Sequence, residues 1–302
     1  MAPNIMKEAF VMNFSEKLRA LRKQFKFSQE QLAEKIGVSR QAITKWETDG
    51  GLPDIENLMA IAALFSVSMD ELMSGEKLVR AVSDYAYESV TEYDISCQTH
   101  FDIQAPGVQE ISLTAADDEK LRIRLASNVI QTLAQDYKVK IDEHRSRLDV
   151  GIRRTGKSSE AEGKEALFIH ISLPARYCEE VELSAIADVL RLNGMAFPFE
   201  FDGKARSVYL ESVKGTVALN CSIDMDIHAG ELPAAIEVNQ INATSVLHIP
   251  QDAKYYTKTK GRSNQIRFAK DGKPAESHID ANAEHRIELA GMNAELLISQ
   301  GL

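Results

Sequence analysis

Cysteine is scarce: Cys97, Cys178 and Cys221 are the three in 302 residues, widely spaced and without a CxxC pair. An odd count with no framework points away from a disulfide scaffold and toward reduced thiols inside a cell. Long apolar runs are missing too. The longest, Leu58 to Phe65, falls far short of the ~18 residues that a membrane-spanning helix needs. The opening MAPNIMKEAFVMNF has neither an apolar core nor a small-residue cleavage site, so no secretory signal is read there. A cytoplasmic protein with no membrane span is the expectation. No GxSxG nucleophile motif occurs, and the seven histidines are scattered. Neither a catalytic residue nor a cofactor or metal ligand is assigned, and no enzyme is expected.

Positive charge is in deficit overall, with a net charge of −10 that ordinarily argues against a nucleic-acid partner. Its distribution reverses that argument. Between Phe14 and Lys45 the chain carries Lys17, Arg19, Arg22, Lys23, Lys26, Lys35, Arg40 and Lys45 against Glu16, Glu30 and Glu34. Salt screens charges beyond about 10 Å, so this local excess outweighs the distant acidity.

Within the basic region, Ser28 to Trp46 (SQEQLAEKIGVSRQAITKW) reads as two short helices joined by a tight turn. Leu32, Ala33 and Ile36 lie on one face of the first helix, and Ile43 and Trp46 continue the seam on the second. Ser28 with Gln31 forms a capping box. Gly37 ends the first helix because a left-handed backbone costs glycine little, and Ser39 caps the second. Packing consumes the apolar side, which leaves Arg40, Gln41, Thr44 and Lys45 outward. Arginine can grip guanine and glutamine adenine at two points each, while lysine or serine can hold phosphates.

Residues 14 to 73 resemble the Xre-type, phage-repressor-like helix-turn-helix family, a five-helix DNA-binding domain. The resemblance is carried by LRALRKQFKFSQEQLAEKIGVSRQAITKWE and then LPDIENLMAIAALFSVSMDELM. It implies that Gln29 contacts a phosphate at the start of the second helix. It also implies that Ser39, Arg40, Gln41 and Lys45 supply groove and backbone contacts. Arg22 and Glu47 match positions that form a structural ion pair in that family.

Residues 1 to 13 read as a flexible arm, and 14 to 75 as the helix-turn-helix domain. Phe14, Leu18, Leu21 and Phe25 form the buried stripe of the first helix. Asp54 caps a fourth helix burying Ile55, Leu58, Ala62 and Phe65. Ser68 with Glu71 opens a fifth helix carrying Met69 and Leu72. Residues 76 to 95 read as a linker helix whose stripe of Leu78, Val82 and Tyr85 either docks on its own domain or forms a dimer seam.

From Ser96 to Leu302 the period changes from 3.6 to 2. The clearest alternation places Val217, Leu219, Cys221, Ile223, Met225 and Ile227 inward, opposite Asp224, Asp226 and His228. One helical interruption is expected at Asn128 to Tyr137. Many short strands predict an all-β domain, a solenoid or a sandwich. VYLESVKGTVALNCSIDMDI and SVLHIPQDAKYYTKTKGRSNQIRF resemble the adhesin-like β-solenoid domains found behind some bacterial Xre-type domains.

Two possible sites are set aside. Gly151 to Ser158 fits the phosphate-loop pattern GxxxxGK[ST], but the following SSEAEGKEA has no apolar stripe and reads as a flexible loop. Asp224, Asp226 and His228 share a strand face, yet side chains two apart stand about 7 Å from one another, and a solvated face is the reading. The whole chain is therefore expected to be a regulator that binds double-stranded operator DNA as a homodimer. Its β domain would assemble the protein or meet an effector or partner protein. The alternative is a β-domain assembly or envelope-stress interaction protein with a repurposed helix-turn-helix.

Overall fold

The computed structural model describes residues 14–24, 27–48, 50–65, 85–270, 273–275, 280 and 283–301. The chain divides into two compact units, with the boundary between residues 84 and 85. The first unit is helical: α1 (Phe14–Gln24), α2 (Gln29–Ile36), α3 (Arg40–Glu47) and α4 (Ile55–Phe65). Leu18, Leu21, Leu32, Ile43, Trp46, Leu58, Ala62 and Phe65 fill its core as the helical spacing predicts. On α4, however, Ile61 is buried instead of Ile55, which opens the helix and is 68% exposed. The caps form as expected. Ser28 Oγ accepts from the Gln31 N–H at 3.1 Å while the Gln31 side chain accepts from the Ser28 N–H at 2.8 Å. Gly37 sits at φ 75°, and Asp54 Oδ1 accepts from the Asn57 N–H at 2.9 Å. The N-terminal arm, Phe25, the fifth helix with Ser68, Met69, Glu71 and Leu72, and the linker from 76 to 84 lie outside the described residues.

The linker helix is corrected where it is described. Tyr87–Asp94 is strand β1, antiparallel to β3 (Lys120–Ser127). Tyr87, Ser89, Thr91 and Tyr93 alternate as half-buried positions, a pattern that suits a pleat. Across the pair, Arg122 Nε reaches Glu92 at 2.7 Å and Lys120 Nζ reaches it at 3.2 Å. The expected helix over 128–137 shrinks to α5 (Leu133–Asp136), because Ile130 and Leu133 are buried whereas Val129 is 63% exposed.

The second unit is otherwise β. Strand β2 (Thr99–Ala116) pairs in parallel with β5 (Arg147–Arg154), β6 (Phe168–Pro174) and β7 (Cys178–Asn193). Strand β4 (Tyr137–His144) closes a hairpin on β5, and β3 runs antiparallel to β6. Beyond β7 the next five strands stack in parallel, each rung on the one before it. Strand β8 (Phe199–Glu211) follows, then the pair β9 (Thr216–Cys221) and β10 (Asp226–Ala229), then β11 (Ala235–Ile241) and β12 (Thr244–Ile249). This is how a parallel solenoid pairs and not how an antiparallel sandwich does. The run read as one strand from Val217 to Ile227 is thus two strands with a corner between them. Val217, Leu219, Cys221, Met225 and Ile227 stay buried through the bend.

The last rungs are out of chain order. Strands β16 (His285–Met292) and β17 (Glu295–Gln300) insert between β11/β12 and the pair β13 (Tyr255–Thr259) and β14 (Gln265–Lys270). The C-terminal strands therefore bury Ile287, Leu289, Leu296 and Ile298 completely, and β13/β14 become the end rung. That end carries Lys258, Lys260, Arg267 and Lys270, and β15 (Lys273–Pro274) folds back on β14. Cationic side chains on a terminal strand disfavour adventitious edge pairing. Among the described residues no helix is long and apolar enough to cross a membrane.

One half-buried imidazole makes the β unit sensitive to acid. His170 lies across from Ser112 and Arg124 on the neighbouring strands, and its Nδ1 is 2.7 Å from Ser112 Oγ. Burial, with help from the Arg124 charge, pushes its pKa from 6.5 down to about 4. The unfolded chain therefore binds a proton between these values while the folded chain does not. Stability should fall as pH drops through that window, by no more than about 3.5 kcal/mol from this group. Urea midpoints at pH 7 and 4.5 should converge in His170→Gln relative to wild type; an unchanged pH dependence would remove His170 as a cause.

Candidate nucleic-acid interface

Helix α3 is pinned from one side only. Ile43, Trp46 and Glu47 are buried, whereas Ser39, Arg40, Gln41, Thr44 and Lys45 are exposed. Ser39 Oγ accepts from the Ala42 N–H at 3.2 Å, so this hydroxyl caps the helix. Thr44 Oγ1 lies 3.1 Å from the Arg40 carbonyl and 3.2 Å from Gln29 Oε1. All six residues singled out from the sequence thus gather on α3 and the start of α2. Among the described residues, the Arg40, Gln41 and Lys45 side chains have no hydrogen-bond or ion-pair partner inside the chain.

Behind this face lies a buried polar knot. Arg22 donates to Glu47 through Nε at 2.5 Å and Nη2 at 2.9 Å, and its Nη1 donates to the Phe27 carbonyl at 2.9 Å. The Arg22–Glu47 pair is the one the family resemblance implies. Gln29 adds a third donor, its Nε2 lying 2.8 Å from Glu47 Oε2. Burial raises the Glu47 pKa, but the hydrogen bonds from Arg22 and Gln29 and the Arg22 charge outweigh it and hold the carboxyl below its ordinary value. Gln29 is consequently fixed at both ends of its amide, to Glu47 and to Thr44, with one N–H left over. Sequence reasoning did not foresee that tether.

The phosphate-loop pattern has a different use here. A helix does follow it: α6 (Glu160–Ala166), where a flexible loop was expected. Ser159 and Glu162 close a capping box at its start, and Gly163 lets it lie against Tyr137 and Gly107. The anion position before it is filled by the chain itself. Asp136 Oδ1 accepts from the Lys157 N–H at 2.9 Å, and the Asp136 carbonyl accepts from the N–H groups of Thr155 and Gly156. A Cβ on Gly156 would stand 1.9 Å from Asp136 Oδ1. The donors that would hold a phosphate are spent on Asp136 and its peptide.

The Asp–His strand face also differs from expectation. Asp224 turns away to accept from the Thr244 N–H at 2.7 Å. Asp226 and His228 are joined instead by His248 from the next rung, with Asp226 oxygens 3.0 Å from His228 Nε2 and 2.8 Å from His248 Nε2. The overlooked signal is the near-equal spacing of Tyr209, His228 and His248, which stack on β8, β10 and β12.

Residues 18–72 match a protein family described as Helix-turn-helix. The HTH-type transcriptional activator BcrR of Enterococcus faecalis is 53% identical over 68 residues, which is 22% of this chain and 33% of that protein. The chain thus spans about a third of that relative's length. The operator-bound structure of the P22 c2 repressor aligns at 37% identity over 22% of this chain and 98% of that one, with a TM-score of 0.21. A candidate cell adhesion protein of Clostridium sporogenes aligns over 71% of this chain and all of its own, at 10% identity and a TM-score of 0.38. Residues 18–72 of this chain are thus similar to the helix-turn-helix family, and the relatives that align there include transcriptional regulators and phage repressors.

Proposed function

We propose that this chain is a sequence-specific DNA-binding transcriptional regulator. It lays α3 in the major groove of an operator while the β unit assembles the protein or receives a signal. The observation that carries this reading is the division of α3: its apolar and acidic side is buried and its outer side offers Arg40, Gln41, Thr44 and Lys45. Arg40 and Gln41 read base edges in this account, while Ser39, Lys45 and the remaining Gln29 N–H hold the backbone. One module of this size buries too little surface for tight binding, so a homodimer on a palindrome with half-sites about 34 Å apart is implied.

Selection of fragments from random DNA by the full chain tests both parts. A symmetric site with that spacing is expected; failure to enrich any sequence would overturn the regulator reading, and an unpaired half-site the dimer. Lys45→Ala should weaken binding to all sequences and reduce the slope of log affinity against log salt by about 1 per DNA-bound copy. An unchanged slope would remove Lys45 from the phosphate contacts.

A further inference from the structure

We propose that Asp226, His228 and His248 form a binding site for one divalent transition-metal ion of the zinc, cobalt or nickel kind. Strand geometry explains how three ligands meet although no three are close along the chain. Neighbours on one strand face stand about 7 Å apart, whereas side chains in register on adjacent parallel strands stand about 4.8 Å apart. His228 on β10 and His248 on β12 are such a pair. Their rings stack with centroids 4.6 Å apart and planes within 9°, so both Nε2 atoms present the same edge. Asp226 joins that edge, and the three donor atoms lie within 4.8 Å of one another.

A tetrahedral ion with bonds of about 2.0–2.1 Å needs donors about 3.3–3.5 Å apart, a closure of up to about 1.5 Å that rotation of the side chains can supply. Asp226 has that freedom, being 52% exposed. Two imidazoles and one carboxylate suit borderline ions rather than magnesium or calcium. The fourth position faces solvent. The neutral imidazoles would turn their N–H to Nδ1, and the carboxylate would exchange two N–H donors for one cation. The surroundings hold the rings in place. Tyr209 stacks on His228 at 4.9 Å, and Arg191 lies 4.2 Å over Tyr209 on its far side. The imidazoles are only 26% and 30% exposed, which limits their motion before an ion arrives.

Isothermal titration of the full chain with Zn(II), with Co(II) absorption as a second readout, tests the assignment without any DNA. Wild type should bind one equivalent, with Co(II) bands of nitrogen and oxygen ligation and no thiolate charge-transfer band. His228→Gln, His248→Gln and Asp226→Asn should each weaken binding by about tenfold or more, with unchanged circular dichroism. His144→Gln, at an exposed position elsewhere, should leave it intact. The proposal is overturned if wild type shows no saturable binding, or if both histidine variants bind as wild type does. Binding lost in Cys97→Ser instead, with a thiolate band, would also overturn it.

Discussion

Replacing Arg40 and Gln41 together by alanine is expected to lower affinity for the cognate operator by about 2–6 kcal/mol, a loss of about 30-fold to 10⁴-fold. The figure follows from two base contacts of about 1–3 kcal/mol each, taken as independent. Both side chains are exposed on α3, and among the described residues neither has a partner inside the chain. Their removal should accordingly shift thermal stability by no more than about 0.5 kcal/mol. Affinity for unrelated DNA should fall much less, because the phosphate contacts remain. Fluorescence anisotropy on the selected site and on a scrambled duplex, at matched salt, separates the two effects. Equal binding of the cognate site by wild type and double variant would sink the base-reading role. An equal loss on both duplexes would make the pair phosphate contacts instead.

The helical unit was legible because its signals are local. Ser28, Gln31, Gly37 and Ser39 each act within a few residues, and the alternation of buried and exposed positions on α3 needs no partner beyond the same domain. Glu47 is the exception. Nothing in its neighbourhood announces a buried carboxylate, and only the family resemblance pointed to Arg22. The second contact, from Gln29, lay beyond even that, since it depends on how α2 crosses α3.

In the β unit the strands were legible and their stacking was not. A period of 2 marks a strand wherever it pairs, so positions such as Leu219 and Ile227 were placed inward correctly. Parallel rungs about twenty residues apart leave no tight-turn signature, and the pairing of His228 with His248 stayed hidden. The corners do carry a repeated device: Asn242 and Asn293 stand at φ 53° and 52°, each followed by a buried alanine, and Asn293 donates to Asn242 at 3.0 Å. Asparagine tolerates that left-handed backbone better than most residues. Two stretches misled for opposite reasons. Tyr87–Asp94 sits beside an apolar helical spacing and yet is strand, because β3 offers it cations. Glu160–Ala166 lacks an apolar stripe and yet is helix, because a capping box and one glycine contact suffice for seven residues.

Glu47→Ala should destabilise the helical unit by about 3 kcal/mol, the low end for a buried ion pair, since it leaves a half-buried guanidinium without its counter-ion. The Glu47 side chain is 3% exposed and Arg22 13%, and after the substitution only the Phe27 carbonyl would still receive Arg22. A small domain has little stability to lose, and each kcal/mol lowers its melting temperature by about 4–8 °C. The helical transition should therefore drop by more than about 10 °C while that of the β unit stays in place, an internal control within one scan. A melting profile identical to wild type would show that the knot contributes nothing. The acid limb carries a second signature. A carboxyl held below its ordinary value contributes stability that is present above that value and lost as pH falls through the folded one, so the wild-type advantage should vanish in acid. Replacing both partners, as in Arg22→Met with Glu47→Met, should restore most of the stability because no unpaired charge remains. It would still free Gln29 from its Glu47 tether. If that amide holds a DNA phosphate, the refolded double variant should bind all duplexes more weakly than wild type, and affinity equal to wild type would leave Gln29 a purely structural part.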